Sequence, residues 1–71
     1  MQNIVEIVKT DNLLSIVLRD VTTMTYSTHA YKRIPNGEFT RTPGALYKGS
    51  NLDRAVEAAN QYVKQSFILR S

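Results

Sequence analysis

Pro35-Asn36-Gly37 is the strongest turn signal in this chain, and it constrains the fold more than any other feature. Asn-Gly tolerates positive φ at both central positions, as a tight type I′ hairpin demands. Proline has no N–H to give to a ladder, so Pro35 marks the end or the edge of a strand. Extended segments must then run antiparallel on either side. Before the turn, a strand is expected from about Val21 to Ile34, with period two separating its faces. Met24, Tyr26, Ala30 and Ile34 share the side expected to face a core, and Thr23, Thr25, Ser27, His29, Tyr31 and Arg33 share the other. So long a strand is expected to bend or bulge near Ser27–His29. After the turn, Glu38 to Thr42 forms the return strand and Pro43-Gly44 breaks it. Ala45 to Lys48 either resumes the pairing or leads onward.

The chain before this hairpin reads as another one. Ile4-Val5-Glu6-Ile7-Val8 is dense in β-branched residues, which suit a pleated surface. Thr10-Asp11-Asn12 supplies turn chemistry, and Leu13 to Arg19 follows with Leu14, Ile16 and Leu18 on one face. The chain beyond the hairpin switches to helical period. Leu52, Ala55, Val56, Ala59, Tyr62, Val63 and Ser66/Phe67 form one stripe, with Ser50 or Asn51 as N-cap. Phe67-Ile68-Leu69 either extends that stripe or turns back as a short strand. The expected architecture is one α+β domain over residues 1–71: an antiparallel sheet of three to five strands packed on one C-terminal helix, in β-β-β-β-α order. One sheet face meets the helix, and the opposite face is open for binding.

A chain of 71 residues is one small domain, and it has no cysteine to staple it. The lack of cysteine suits a reducing compartment. Glu6 and Lys9 interrupt the apolar start, so no signal peptide is expected, and no apolar run approaches the roughly 20 residues of a membrane span. A cytoplasmic location and no membrane partner are the expectations.

Charge is unevenly placed. Residues 31–48 contain Lys32, Arg33, Arg41 and Lys48 against the single carboxylate of Glu38, which accounts for the whole formal charge of +3. Three of the chain's six aromatic residues, Tyr31, Phe39 and Tyr47, lie in the same stretch. A basic, aromatic-containing hairpin on an otherwise neutral domain is suited to phosphates. Arg33 and Arg41 would contact phosphates or guanine edges, and Lys32 and Lys48 phosphates. Tyr31 would stack on a base, with His29 as a polar contact. The bland reading makes these cations edge charges that prevent sheet-to-sheet aggregation, Phe39 a core residue and His29 a solvent-facing strand residue.

Catalytic chemistry has little to build on. His29 is the only histidine, and with no cysteine there is no metal-ligand set or nucleophile–base pair, so neither a metal nor a cofactor is expected. Asp11, Asp20, Glu6 and Glu38 have no spacing that fixes two carboxylates beside a substrate. Gly37, Gly44 and Gly49 are isolated and form no phosphate-cradling loop.

A basic hairpin followed by Asn51-Leu52-Asp53-Arg54-Ala55-Val56-Glu57-Ala58-Ala59 resembles the DNA-binding arm domains of tyrosine recombinases, and is similar in outline to single-strand-binding domains with four strands and a helix. The resemblance implies a sheet laid on one helix and used against nucleic acid. The N-terminal hairpin departs from the recombinase arms, and no functional residue carries over. The expected function is a non-enzymatic nucleic-acid-binding module for single- or double-stranded DNA or RNA. The alternative is a small adaptor or inhibitor of the kind mobile elements encode, meeting an acidic protein surface by a sheet face or edge. A homodimer through an edge strand fits either.

Overall fold

The β-branched residues Ile4, Val5, Ile7 and Val8 lie in β1 (Gln2–Lys9), as their stiff χ1 angles favour. In the computed structural model, which describes the backbone of residues 2–70 and the side chains of residues 2–64, β1 is followed by β2 (Leu13–Asp20), β3 (Thr25–Arg33), β4 (Phe39–Gly49) and a helix, α1 (Leu52–Arg70). The four strands form one antiparallel sheet in the order β1-β2-β3-β4. Sequence neighbours are therefore spatial neighbours throughout. This is the expected α+β arrangement, and 67–69 belong to the helix rather than to a further strand.

Each turn has a local cause. Between β1 and β2, the Thr10 N–H donates to the Leu13 carbonyl at 2.8 Å, and Thr10 Oγ1 accepts from the Leu13 N–H at 3.2 Å. Between β2 and β3, Asp20 Oδ1 accepts from the N–H groups of Thr22 and Thr23 at 2.9 and 3.4 Å. Met24 completes this turn in the left-handed region, at φ 56°. The third strand therefore begins at Thr25, not Val21, and Met24 is 58% exposed rather than part of the core. At the central turn, the Gly37 N–H donates to the Ile34 carbonyl at 2.9 Å and the Ile34 N–H to the Glu38 carbonyl at 2.8 Å. Gly37 has φ +95°, whereas Asn36 does not have positive φ. The hairpin is thus a three-residue loop, a type I turn with Gly37 in the bulge position, and not the two-residue type I′ turn expected from Asn-Gly. Pro35 decides this, because its fixed φ suits the second position of a type I turn.

β4 continues through Pro43-Gly44 instead of breaking there. From Tyr31↔Arg41 to His29↔Ala45, β3 advances two residues and β4 four; from there to Thr28↔Tyr47, β3 advances one and β4 two. Three extra residues are thus bulged into β4. An edge strand tolerates this, because a proline N–H is not missed on its open side, and Gly44 takes φ +82° without steric cost. The irregularity expected near Ser27–His29 falls at that level, but the extra residues are on the opposing strand.

The core lies between one sheet face and α1. Ser15 and Val17 of β2 pair with Ala30 and Thr28 of β3, and all four are buried together with Ala55, Ala59 and Val63 of the helix. Val8, Tyr26 and Tyr47 pack around this centre. Small residues let the helix sit close enough for Thr28 Oγ1 to donate to the Ala55 carbonyl at 2.8 Å. Asn51, rather than Ser50, is the N-cap: its Oδ1 accepts from the Arg54 N–H at 3.2 Å. Among the described residues, no helix is long and apolar enough to cross a membrane.

Candidate functional site

Pairing across an antiparallel ladder puts partners on the same face, so burial on the helix side fixes what the other side carries. Leu14↔Tyr31↔Arg41, Ile16↔His29↔Ala45 and Leu18↔Ser27↔Lys48 all point away from α1. Arg33↔Phe39 continues the series towards the central turn. The helix-free face therefore divides into a β3–β4 half that is cationic and aromatic, and a β1–β2 half that is aliphatic.

Five of the six expected site residues meet on the cationic half: His29, Tyr31, Arg33, Arg41 and Lys48. Lys32 does not. It sits between Tyr31 and Arg33 in a regular strand, so period two turns it to the helix side, opposite Leu13 and Thr40. Two residues join the site against expectation. Phe39 is on the open face, half-buried, with the Arg33 guanidinium carbon 4.8 Å from its ring centroid. Lys9 reaches the same ring with its ammonium at 5.6 Å, a cation–π geometry. Phe39 is not a core residue because it shares parity with Arg33. Lys9 was hidden in the balanced remainder of the chain, and only the register Lys9↔Leu14↔Tyr31 brings it to this face. By that register the face carries Lys9, Arg33, Arg41 and Lys48 against one carboxylate, Asp20, whose Oδ1 already accepts two backbone N–H groups.

His29 is the best-fixed member. It is only 8% exposed, so it is not the solvent-facing residue expected from strand parity. Both ring nitrogens are engaged: Arg41 Nη2 lies 2.6 Å from Nδ1, and Ser27 Oγ 3.1 Å from Nε2. A guanidinium can only donate, so Nδ1 is the acceptor and the ring proton sits on Nε2, which donates to Ser27. Burial, then the charges of Arg41 and Lys48, hold the imidazole pKa below its ordinary value. The ring is thus a neutral strut that positions Arg41. Ser27, His29, Arg41 and Lys48, with Gln2 and Leu18, line an open groove of about 320 Å³. A larger groove of about 440 Å³ lies between α1 and β4, where Arg54 and Glu57 oppose each other in charge. Its lack of a net sign makes it the weaker candidate.

Among the described residues, nothing covers the aliphatic half. Ile4 and Ile7 are 60% and 50% exposed, and Leu14, Ile16 and Leu18 beside them are half-buried. Leu14, Ile16 and Leu18 share a face as the sequence indicates, but it is the face away from the helix. Among the described residues, no group of three or more His, Cys, Asp or Glu side chains is placed to hold a metal ion.

No protein-family model matches this chain, and no curated protein or solved structure matches it either.

Proposed function

We propose that the helix-free face binds single-stranded nucleic acid and that the protein acts as a binding module rather than an enzyme. The observation that carries this reading is the convergence of Lys9, Arg33, Arg41 and Lys48 with Tyr31 and Phe39 on one face. Along β3, the level of Arg33 is six residues from that of Ser27 and Lys48, roughly 20 Å at about 3.3 Å per residue. Cations at intervals over that length can follow a phosphate backbone while Tyr31 and Phe39 offer stacking surfaces to unpaired bases. The groove between Arg41 and Lys48 is the natural seat for one phosphate, with His29 holding Arg41 in place.

Width favours a single strand over a duplex. A major groove about 12 Å across admits a helix or a two-stranded ribbon. Four strands at about 4.8 Å spacing already span roughly 14 Å between outer backbones. Laid flat, this sheet is too broad for the groove, whereas splayed bases need only a surface.

The test is fluorescence anisotropy with labelled single-stranded DNA, single-stranded RNA and duplex DNA at low and moderate salt. The expected result is tighter binding of a single strand, weakening with salt, and a loss of about 1–3 kcal/mol for Tyr31→Ala. Duplex preference would refute the single-strand assignment, and no salt-sensitive binding to any of the three would refute the function. A second reading, an adaptor or inhibitor that meets an acidic protein, draws on the exposed Ile4 and Ile7 beside the cations. A partner that survives nuclease treatment in a pull-down would favour it.

A further inference from the structure

A sheet edge presents a row of backbone N–H and C=O groups that a further strand can use. The two edges of this sheet are unlike. β4 carries Pro43, Gly44 at φ +82° and three bulged residues, so it offers no continuous ladder. β1 runs for eight residues without proline or glycine and with one irregularity, at Val5. Its Ile4, Val5 and Ile7 are 60%, 40% and 50% exposed. One edge is blunted and the other is left open and apolar.

We propose that β1 pairs antiparallel with β1 of a second copy of this chain, about a two-fold axis between Val5 and Glu6. Two four-stranded sheets then join into one of eight. The register is self-complementary because of the irregularity at Val5. In a regular strand Ile4 and Ile7, three positions apart, would point to opposite faces. Here Ile4 pairs with Leu18 and Ile7 with Ile16, so both lie on the helix-free face. A two-fold at this point sets Ile4 against Ile7 of the second copy, Gln2 against its Lys9, and Asn3 against its Val8. Each of these pairs shares a face, as an isologous interface requires. Moving the register by one residue sets an isoleucine against a side chain from the other face, which a pleated ladder does not allow.

The pairing also resolves the uncovered aliphatic half. Ile4 and Ile7 of both copies form one cluster across the axis, continuous with Leu18 and Ile16 on each side. Gln2 to Ile7 are all exposed, so this edge is accessible to a second copy. The rows formed by Arg33, Arg41 and Lys48 lie on the two outer flanks, where like charges stay far apart. The two Glu6 carboxylates come near the axis on the helix side, a solvated contact that weakens association about fivefold at most.

The test is the mass of this 71-residue chain in solution, without nucleic acid, across a wide concentration range. A dimer of twice 8.0 kDa is expected, and Ile4→Lys combined with Ile7→Lys should return it to monomer with the circular-dichroism signature of the sheet retained. The chain has no cysteine, so Val5→Cys should form an intermolecular disulfide under mild oxidation, while Thr40→Cys on β4 should not. This pair also decides the matter if the double lysine variant fails to fold. A protein that stays monomeric throughout, a dimer that persists in the folded double lysine variant, or cross-linking through Thr40→Cys instead of Val5→Cys would each overturn the proposal.

Discussion

Lys48 and Lys32 are equivalent in composition but not in placement, and this difference gives the sharpest test of the binding face. Lys48 lines the groove with Arg41 and His29, whereas Lys32 points to the helix side. Each phosphate neutralised on a single strand contributes about −0.7 to the slope of log K against log salt. Four cations, Lys9, Arg33, Arg41 and Lys48, therefore give a slope near −2.8, or about a 50-fold loss of affinity between 50 and 200 mM salt. Lys48→Ala should reduce the slope to about −2.1 and the loss to about 18-fold, while Lys32→Ala should leave both at the wild-type value. The titration belongs near pH 8, where His29 is neutral in every variant and adds no charge of its own. Fluorescence anisotropy with one labelled oligonucleotide over a salt series measures the slopes directly. Equal slopes for the two lysine variants would refute the assignment of the face, as would a Lys48→Ala slope unchanged from wild type.

Three further outcomes follow from the same geometry. The pKa of His29 is lowered in the folded protein, so between that value and about 6.5 the unfolded chain binds more protons than the native one. Stability should fall as pH drops below about 6.5 and level off below the folded pKa; an NMR titration placing the His29 pKa above 6.5 would contradict this. Thr28→Val removes the hydroxyl that donates to the Ala55 carbonyl while preserving shape. The expected cost is about 1 kcal/mol, a Tm shift of about 4–8 °C, with no comparable change for the exposed Thr40→Val. Gly44→Ala meets no atom within 4 Å, so its cost is backbone strain at φ +82° alone, about 1 kcal/mol by chemical denaturation.

The parts of this structure legible in the sequence are those set by short-range rules. The helix stripe through Ala55, Ala59 and Val63 and the shared face of Ser27, His29, Tyr31 and Arg33 on β3 follow from period, although His29 is buried on that face and Thr23 lies outside the strand. The limits of β3 and β4 did not follow. Asp20 capping its own turn shortens β3 at one end, and an edge position lets β4 absorb a Pro-Gly pair that would break a central strand. The site was legible as far as parity reaches: alternation alone separates Lys32 from Arg33. Lys9 and Phe39 needed the register across the sheet, and the burial of His29 needed its two hydrogen-bond partners. A list of residues along the chain does not contain these.

The largest fully buried side chain described is a valine, Val17, followed by Thr28 and Ser15, while isoleucines stand in water on the other side of the sheet. Ile4, Ile7, Leu14, Ile16 and Leu18 all stand where the protein's own helix cannot use them. A domain of 71 residues has only about 4–11 kcal/mol of net stability in any case. A ligand at a hundred times its Kd adds about 2.7 kcal/mol to whatever it binds, a quarter or more of that total. Occupancy of the outer face should therefore register as heat resistance. Melting temperature, followed across candidate ligands, becomes a way to find what this protein holds without assuming its chemistry in advance.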